Sequence, residues 1–153
     1  MAKITVIIDG GGTTTDVGVA VDTSCRARTT LPSAKPNGTD LRTDDLCRMI
    51  GSFLAGTSSI PADDATSGLH SVIIGMAGVW SDSERYRYQR AVTASWEEYI
   101  DRVAPDILVM SDVELVLRAA YGTGPGCVLI AGTGSIALRR DTANTVHRCG
   151  GWG

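Results

Sequence analysis

The sequence predicts an α/β layered domain followed by the opening strands of a second, related one. Two observations carry this. Short apolar runs rich in β-branched residues alternate with helix-length amphipathic segments as far as Tyr121. A strand–glycine turn–strand unit near the start, around Asp9-Gly10-Gly11-Gly12-Thr13, then returns at Ala131-Gly132-Thr133-Gly134-Ser135. Such self-similarity marks a repeated architecture. The predicted division is a first domain over 1–122 and the beginning of a second over 123–153.

The elements follow in order. Lys3 to Ile8 is a short β-branched run, hence a buried strand, and the glycine turn breaks it. Val17 to Val21 resumes as a strand, and Cys25 to Leu31 reads as a third. Pro32 to Gly38 has loop composition. Thr39 or Asp40 is expected to cap the next helix, with Asp44 and Asp45 near its positive end and Leu41, Leu46, Ile50, Phe53 and Leu54 along one side. Gly56 to Gly68 is a polar loop, and Ser71 to Ile74 a strand that ends at Gly75-Met76-Ala77-Gly78. Ser81 or Ser83 starts a helix to about Val103, with Tyr88, Val92, Trp96 and Tyr99 on one side and Pro105 ending it. Ile107 to Met110 is a strand, Asp112 opens a helix to Tyr121, and Gly122 to Gly126 is a linker. Cys127 to Ala131, Ile136 to Arg140 and Thr145 to Cys149 are the last three strands.

Bulk composition excludes several classes. The chain is 43% hydrophobic and carries a net charge of −3, with no basic run to contact nucleic acid. No stretch of about 18 apolar residues exists, and no basic segment precedes an apolar one at the start, so neither a membrane span nor a secretory signal is read. Cys25, Cys47, Cys127 and Cys149 are scattered, which suits reduced thiols in a cytoplasmic protein.

The glycine turns are candidate phosphate sites. Glycines admit positive φ and let a ligand approach the backbone. Consecutive N–H groups form an anion-binding nest. Thr13, Thr14 and Thr15 add hydroxyls, and Asp9 at the strand end could hold Mg²⁺ through water. A lone glycine turn is just as well a tight hairpin. Two turns, one in each domain, can hold a triphosphate from both sides. Neither is a Walker A loop, because Gly-x-x-x-x-Gly-Lys is absent, and a dinucleotide fingerprint would be followed by a helix rather than a strand. Asp112 follows a strand and opens a helix, where it can serve as a helix cap, as a base for a substrate hydroxyl, or as both.

Together these segments resemble the N-acetylglucosamine kinase branch of the BadF/BadG/BcrA/BcrD ATPase family, within the sugar kinase/heat-shock/actin superfamily. The resemblance rests on Asp9-Gly-Gly-Gly-Thr13, Asn37, Gly75-Met-Ala-Gly78, Ser111-Asp112, Val128-Leu-Ile-Ala-Gly-Thr-Gly-Ser135 and Cys149-Gly-Gly-Trp-Gly153, in the family's order along the whole chain. It implies an actin-like ATPase with ribonuclease-H-like lobes: a mixed five-stranded sheet with flanking helices, then the first strand hairpin of a similar lobe. It implies ATP and Mg²⁺ as cofactors, and Asp112 as catalytic base. Gly11, Gly12, Thr13, Thr14, Gly132, Thr133 and Gly134 would face the phosphates. Asn37, Asp112, Gly150 and Gly151 would bind a sugar such as N-acetylglucosamine, glucosamine or a related hexose.

Related readings fit less well. Iron–sulfur ATPase activators carry cluster cysteines that Cys127 and Cys149 do not match. The zinc motif of repressor-type glucokinases is missing, and the later motifs do not follow the hydantoinase and oxoprolinase ATPases, which share Gly-Gly-Thr-Thr-Thr-Asp. A non-catalytic sugar or nucleotide sensor is the alternative from another class. In the family, Gly-Gly-Trp-Gly leads into a Gly-Asp-Glu-Gly-Ser stretch and most of a second lobe, neither of which is present here. The chain by itself is therefore expected to be a poor enzyme. Val128, Ile130, Ile136 and Leu138 are expected to leave one face of the last strands bare, so that the chain forms a homodimer.

Overall fold

The computed structural model describes residues 3–57, 69–100, 104–131 and 135–151. Strands β1 (Ile4–Gly10), β2 (Thr14–Val21) and β3 (Ser24–Pro32) form an antiparallel meander. Helix α1 (Thr43–Gly56), strand β4 (Leu69–Met76), helix α2 (Asp82–Ile100), strand β5 (Asp106–Met110) and helix α3 (Asp112–Tyr121) follow. β4 lies parallel to β1 and β5 parallel to β4, giving a mixed five-stranded sheet in the order β3-β2-β1-β4-β5. Strands β6 (Gly126–Ala131), β7 (Ser135–Arg140) and β8 (Val146–Gly150) form a separate antiparallel sheet.

Successive side chains of a strand point to opposite faces. Ile4, Val6 and Ile8 of β1 therefore share one face with Val17, Val19, Val72 and Ile74, all buried. Helices α1 and α2 cover that face through Leu46, Cys47, Ile50, Tyr88, Val92 and Trp96. Each of the larger buried side chains contributes about 1.5–3 kcal/mol.

Helix α3 takes the other face. A Cβ at Gly75 would stand 2.6 Å from Leu115 Cβ, so the bare glycine is what lets the helix lie against β4. The same helix turns Val113 and Leu117 onto Leu138, Val128 and Ile136 of the second sheet and onto Trp80. This corrects the expectation of a bare face. Leu138 is fully buried, and Val128 and Ile136 are half-buried under α3. The fourth residue, Ile130, is exposed as expected, and beside it on β6 Leu129 is 70% exposed.

Two helix starts test the capping expectations. Thr39 and Asp40 do not cap α1. Asn37 and Asp40 close a tight turn on each other's backbones (2.8 and 3.1 Å), with Gly38 at φ 61°, and the Asp40 carboxylate accepts from the Arg42 N–H at 2.9 Å. A short polar side chain can satisfy nearby backbone in place of a helix start. The helix begins three residues later, after Arg42 in the left-handed region, without a side-chain cap. Ser81 does start α2. Its hydroxyl accepts from Glu84 N–H, and Glu84 accepts from Ser81 N–H at 2.8 Å, a reciprocal capping box. The expected helix end at Val103 and most of the loop from Gly56 to Gly68 lie outside the described residues.

Among the described residues no helix is long and apolar enough to cross a membrane. All four cysteines are free, Cys47 buried and the others exposed.

Candidate active site

The β1–β2 turn is built from both sides. Gly10 is buried, and a Cβ there would come within 2.4 Å of the Met76 thioether. Gly11 N–H donates to the Thr14 carbonyl at 2.9 Å and closes the turn. The Ser33 hydroxyl donates to the Gly11 carbonyl (2.9 Å), Ala77 N–H donates to the Gly10 carbonyl (2.8 Å), and buried Thr15 accepts from Ala34 N–H (3.1 Å). None of Gly10, Gly11 and Gly12 has positive φ, contrary to one of the two reasons read for them. What the glycines supply is room: a Cβ at Gly12 would meet nothing within 4 Å, and Gly12, Thr13 and Thr14 are exposed. Gly132, Thr133 and Gly134 lie outside the described residues. Their flanks, Ala131 and Ser135, are cross-strand partners.

Asp9 is the last side chain of β1 before the glycines. It faces Asp16 across the antiparallel pair and Gly75 across the parallel one, and Gly75 is in turn level with Met110. Asp112 begins α3 two residues beyond Met110. Partial desolvation, then the charges of Asp112 and Asp16, raise the Asp9 carboxyl above the usual carboxylate range. Like charges directly opposite on a sheet are unfavourable. Asp16 is eased by a 2.5 Å hydrogen bond from the Thr30 hydroxyl and by Arg28 at 3.9 Å. Asp9 has no such relief among the described residues. No three acidic, histidine or cysteine side chains among them converge on one point to hold an ion directly. A hydrated Mg²⁺ suits this donor set: it keeps its waters and would relieve the repulsion that Asp9 feels.

Asp112 is not the helix cap. Ser111, fully buried, accepts from Glu114 N–H, while Glu114 accepts from Ser111 N–H at 3.0 Å. Arg85 anchors Glu114 with a 2.6 Å ion pair. Asp112 accepts from its neighbour Val113 N–H at 2.9 Å through one oxygen, and the other has no partner among the described residues. The capping duty that sequence offered to Asp112 therefore falls to Ser111.

Asn37 stands on the closed turn before α1. Its backbone is used in that turn, and its exposed amide makes no hydrogen bond to the described residues. The strand that leads to it runs beside the loop after β4: a Cβ at Gly78 would touch Lys35 at 3.7 Å. A cavity of about 170 Å³ lies between them, lined by Pro36, Gly38, Leu41, Gly78, Arg87 and Tyr88 among others.

Gly150 and Gly151 have φ of 81° and 73°, the left-handed region where a side chain is strained. A Cβ at Gly150 would meet the Ser135 carbonyl oxygen at 2.7 Å, and one at Gly151 the Ile136 side chain at 2.8 Å. Gly151 N–H donates to that same Ser135 carbonyl at 2.8 Å. Arg148 donates to the carbonyls of both glycines, and its guanidinium stacks on Trp80 at 3.9 Å from the ring centre. Trp80 follows the loop after β4, so this cation–π contact joins the two sheets beside α3. Trp80 and Arg148 were not singled out in the sequence. A tryptophan two residues after Gly78 was the available signal.

No family model matches the chain, and no curated protein matches it. Solved structures do. A proposed N-acetylglucosamine kinase from Porphyromonas gingivalis aligns with 93% of this chain at a TM-score of 0.63 and 20% identity. Another, from Chromobacterium violaceum, aligns with 99% at 0.57 and 20%. The chain spans about half the length of these structures, 46% and 50% respectively. At this identity the likeness establishes the fold: an α/β lobe with a mixed five-stranded sheet and flanking helices, joined to three strands of a second sheet.

Proposed function

We propose that the chain is the phosphate- and sugar-facing part of an ATP-dependent carbohydrate kinase acting on N-acetylglucosamine, glucosamine or a related hexose. The observation that carries this reading is the placing of Asp112 beside Asp9 and the glycine turn, with its helix-capping duty held by Ser111. A carboxylate freed of the capping duty, with one oxygen unpartnered among the described residues, suits a general base at such a rim.

Phosphoryl transfer asks the protein for positioning, charge neutralisation and a proton acceptor. The sugar hydroxyl oxygen bonds to the terminal phosphorus as the bridging P–O bond breaks and ADP leaves, and the hydroxyl proton passes to Asp112. The N–H group of Gly12 and the hydroxyls of Thr13 and Thr14 hold phosphate oxygens, while Gly11, its own N–H spent on the Thr14 carbonyl, shapes the turn; Gly132, Thr133 and Gly134 are assigned the matching role from the second sheet. Asn37, Gly150 and Gly151 orient the sugar. Asp9 would hold Mg²⁺ through water, and the ion would neutralise phosphate charge.

The test is sugar-dependent ADP release with Mg-ATP across N-acetylglucosamine, glucosamine and glucose, on this chain and on any longer product that contains it. Absence of stimulation by every common hexose in the longer product would overturn the kinase reading. We also propose self-association through the open face of β6, which a second copy can cover.

A further inference from the structure

We infer that the chain has a second anion site, for a phosphate-class oxyanion, in the cavity between β5, α3 and the β7–β8 turn. The cavity measures about 210 Å³; Arg85 and Glu114 of its lining also support the Ser111 cap, but none of its lining residues is assigned to phosphate, sugar or metal in the proposed active site. Its polar lining is Arg85, Glu114, Arg118, Thr123, Arg140 and Asn144, set against an apolar wall from β5 and Val146.

Charge is the first argument. Three guanidiniums less one carboxylate leave this lining at +2, in a chain whose net charge is −3. Glu114 is already committed to Arg85 and to the Ser111 cap. The Arg118 side chain makes no hydrogen bond or ion pair to the described residues. The second argument is burial. Arg140 is only 6% exposed, yet no carboxylate among the described residues lies within ion-pair distance of it. An arginine cannot discharge itself, and a buried charge without a counter-ion is unfavourable.

The carbonyls of Gly122 and Gly124 accept from Arg140 Nη1 at 2.7 and 3.1 Å, which satisfies donors but supplies no negative charge. The adjacent acid, Asp141, is spent on Ala143 N–H, Thr145 N–H and His147. The third argument is a loose donor: Arg85 Nε is buried with no hydrogen-bond partner. Planar guanidinium forks match the oxygens of a phosphate group, often two at a time. The cavity is large enough for a phosphate group with a small organic body. The chemistry fits either inorganic phosphate or a phosphorylated sugar, and it does not depend on the kinase reading.

The test is calorimetric titration of the chain with inorganic phosphate and with a hexose 6-phosphate, at constant ionic strength. Arg118 is the residue to change first, because it is exposed on the last turn of α3 and its side chain carries no internal hydrogen bond or ion pair, whereas Arg140 holds the linker. Saturable binding should weaken about tenfold or more in Arg118→Ala, the loss of a charge-assisted hydrogen bond. It should be unchanged in Arg90→Ala, an equal change of charge elsewhere, and in Thr13→Ala in the glycine turn. Equal affinity for the two ligands assigns the site to the phosphate group alone, and tighter binding of the ester assigns it to a phosphorylated sugar; both support the site. Binding that survives Arg118→Ala but fails in Thr13→Ala would place the anion in the glycine turn instead. Failure to saturate, or an equal response to chloride, would overturn the proposal.

Discussion

The two glycine segments offered as ligand sites use the same residue for opposite reasons. In the β1–β2 turn the backbone is ordinary, and glycine leaves room: Gly10 for Met76, Gly12 for whatever approaches from solvent. At Gly150–Gly151 the backbone is left-handed and crowded by Ser135 and Ile136, and glycine is demanded by conformation. The first segment is backed by Ser33, Ala77 and Thr15, within a sheet covered by helices. The second is tied through Arg148 to Trp80 and lies at the edge of a three-stranded sheet. One chain holds both a turn that keeps open space and a turn that spends it, so glycine content alone does not identify a ligand loop.

Asp112 belongs to neither segment, and changing it is the severest test of whether the two suffice without it. In a catalytically competent form, Asp112→Asn should lower kcat by on the order of 10²–10⁴ while leaving the affinity for ATP and the melting temperature nearly unchanged. Steady-state kinetics and thermal unfolding read the two quantities. An unaltered kcat would show that the segments work without a carboxylate at this position.

The comparison itself is broken or kept by alanine. Gly150→Ala should destabilise the chain by about 1–3 kcal/mol, through left-handed strain and the clash with the Ser135 carbonyl. Gly12→Ala should leave stability within about 0.5 kcal/mol, as at an unremarkable surface position, and weaken nucleotide binding instead. Denaturant melts and nucleotide titration of both variants decide the matter, and equal stability losses would remove the distinction.

A smaller effect is expected from the carboxylates at the rim. Asp9 has its folded-state pKa raised above the ordinary value of 3.8, by desolvation and by Asp112 and Asp16. A raised acid contributes stability that is full below its unfolded pKa and is lost as pH rises through the folded value. Asp9→Asn should therefore raise the melting temperature at neutral pH and flatten its decline from about pH 4 upward. A lower melting temperature at pH 7 would mean that the Asp9 charge is stabilised by a partner. The last contrast is between covered and open sheets. Light scattering after gel filtration should show a dimer, and Leu129→Lys should shift it to monomer, because Leu129 stands on the open face.

Much of the fold was legible because apolar period and glycine punctuation report it directly. Ile4, Val6 and Ile8 alternate as a half-buried strand must, and Tyr88, Val92 and Trp96 recur as a packed helix face must. The start of α1 was misread because Asp40 can satisfy backbone in a turn as readily as at a helix end. The open face of the second sheet was misread because Val128, Ile136 and Leu138 meet α3, a contact between segments whose relation no local pattern reveals. The residues proposed for the rim could be named one by one from their motifs, and their roles remain proposals. The repulsion on Asp9, the division of labour between Ser111 and Asp112, and the Trp80–Arg148 stack were not legible, since each depends on strands and helices brought together from distant parts of the chain.

The division of labour at the start of α3 also bears on how such a protein can change over generations. Ser111 and Glu114 hold the helix, so position 112 can drift while folding is preserved. On the proposed reading of Asp112 as base, one substitution there would leave a descendant able to fold and to bind the same ligands while performing no chemistry on them. The passage from catalyst to receptor would then be a single step without a destabilised intermediate, and the step back equally short.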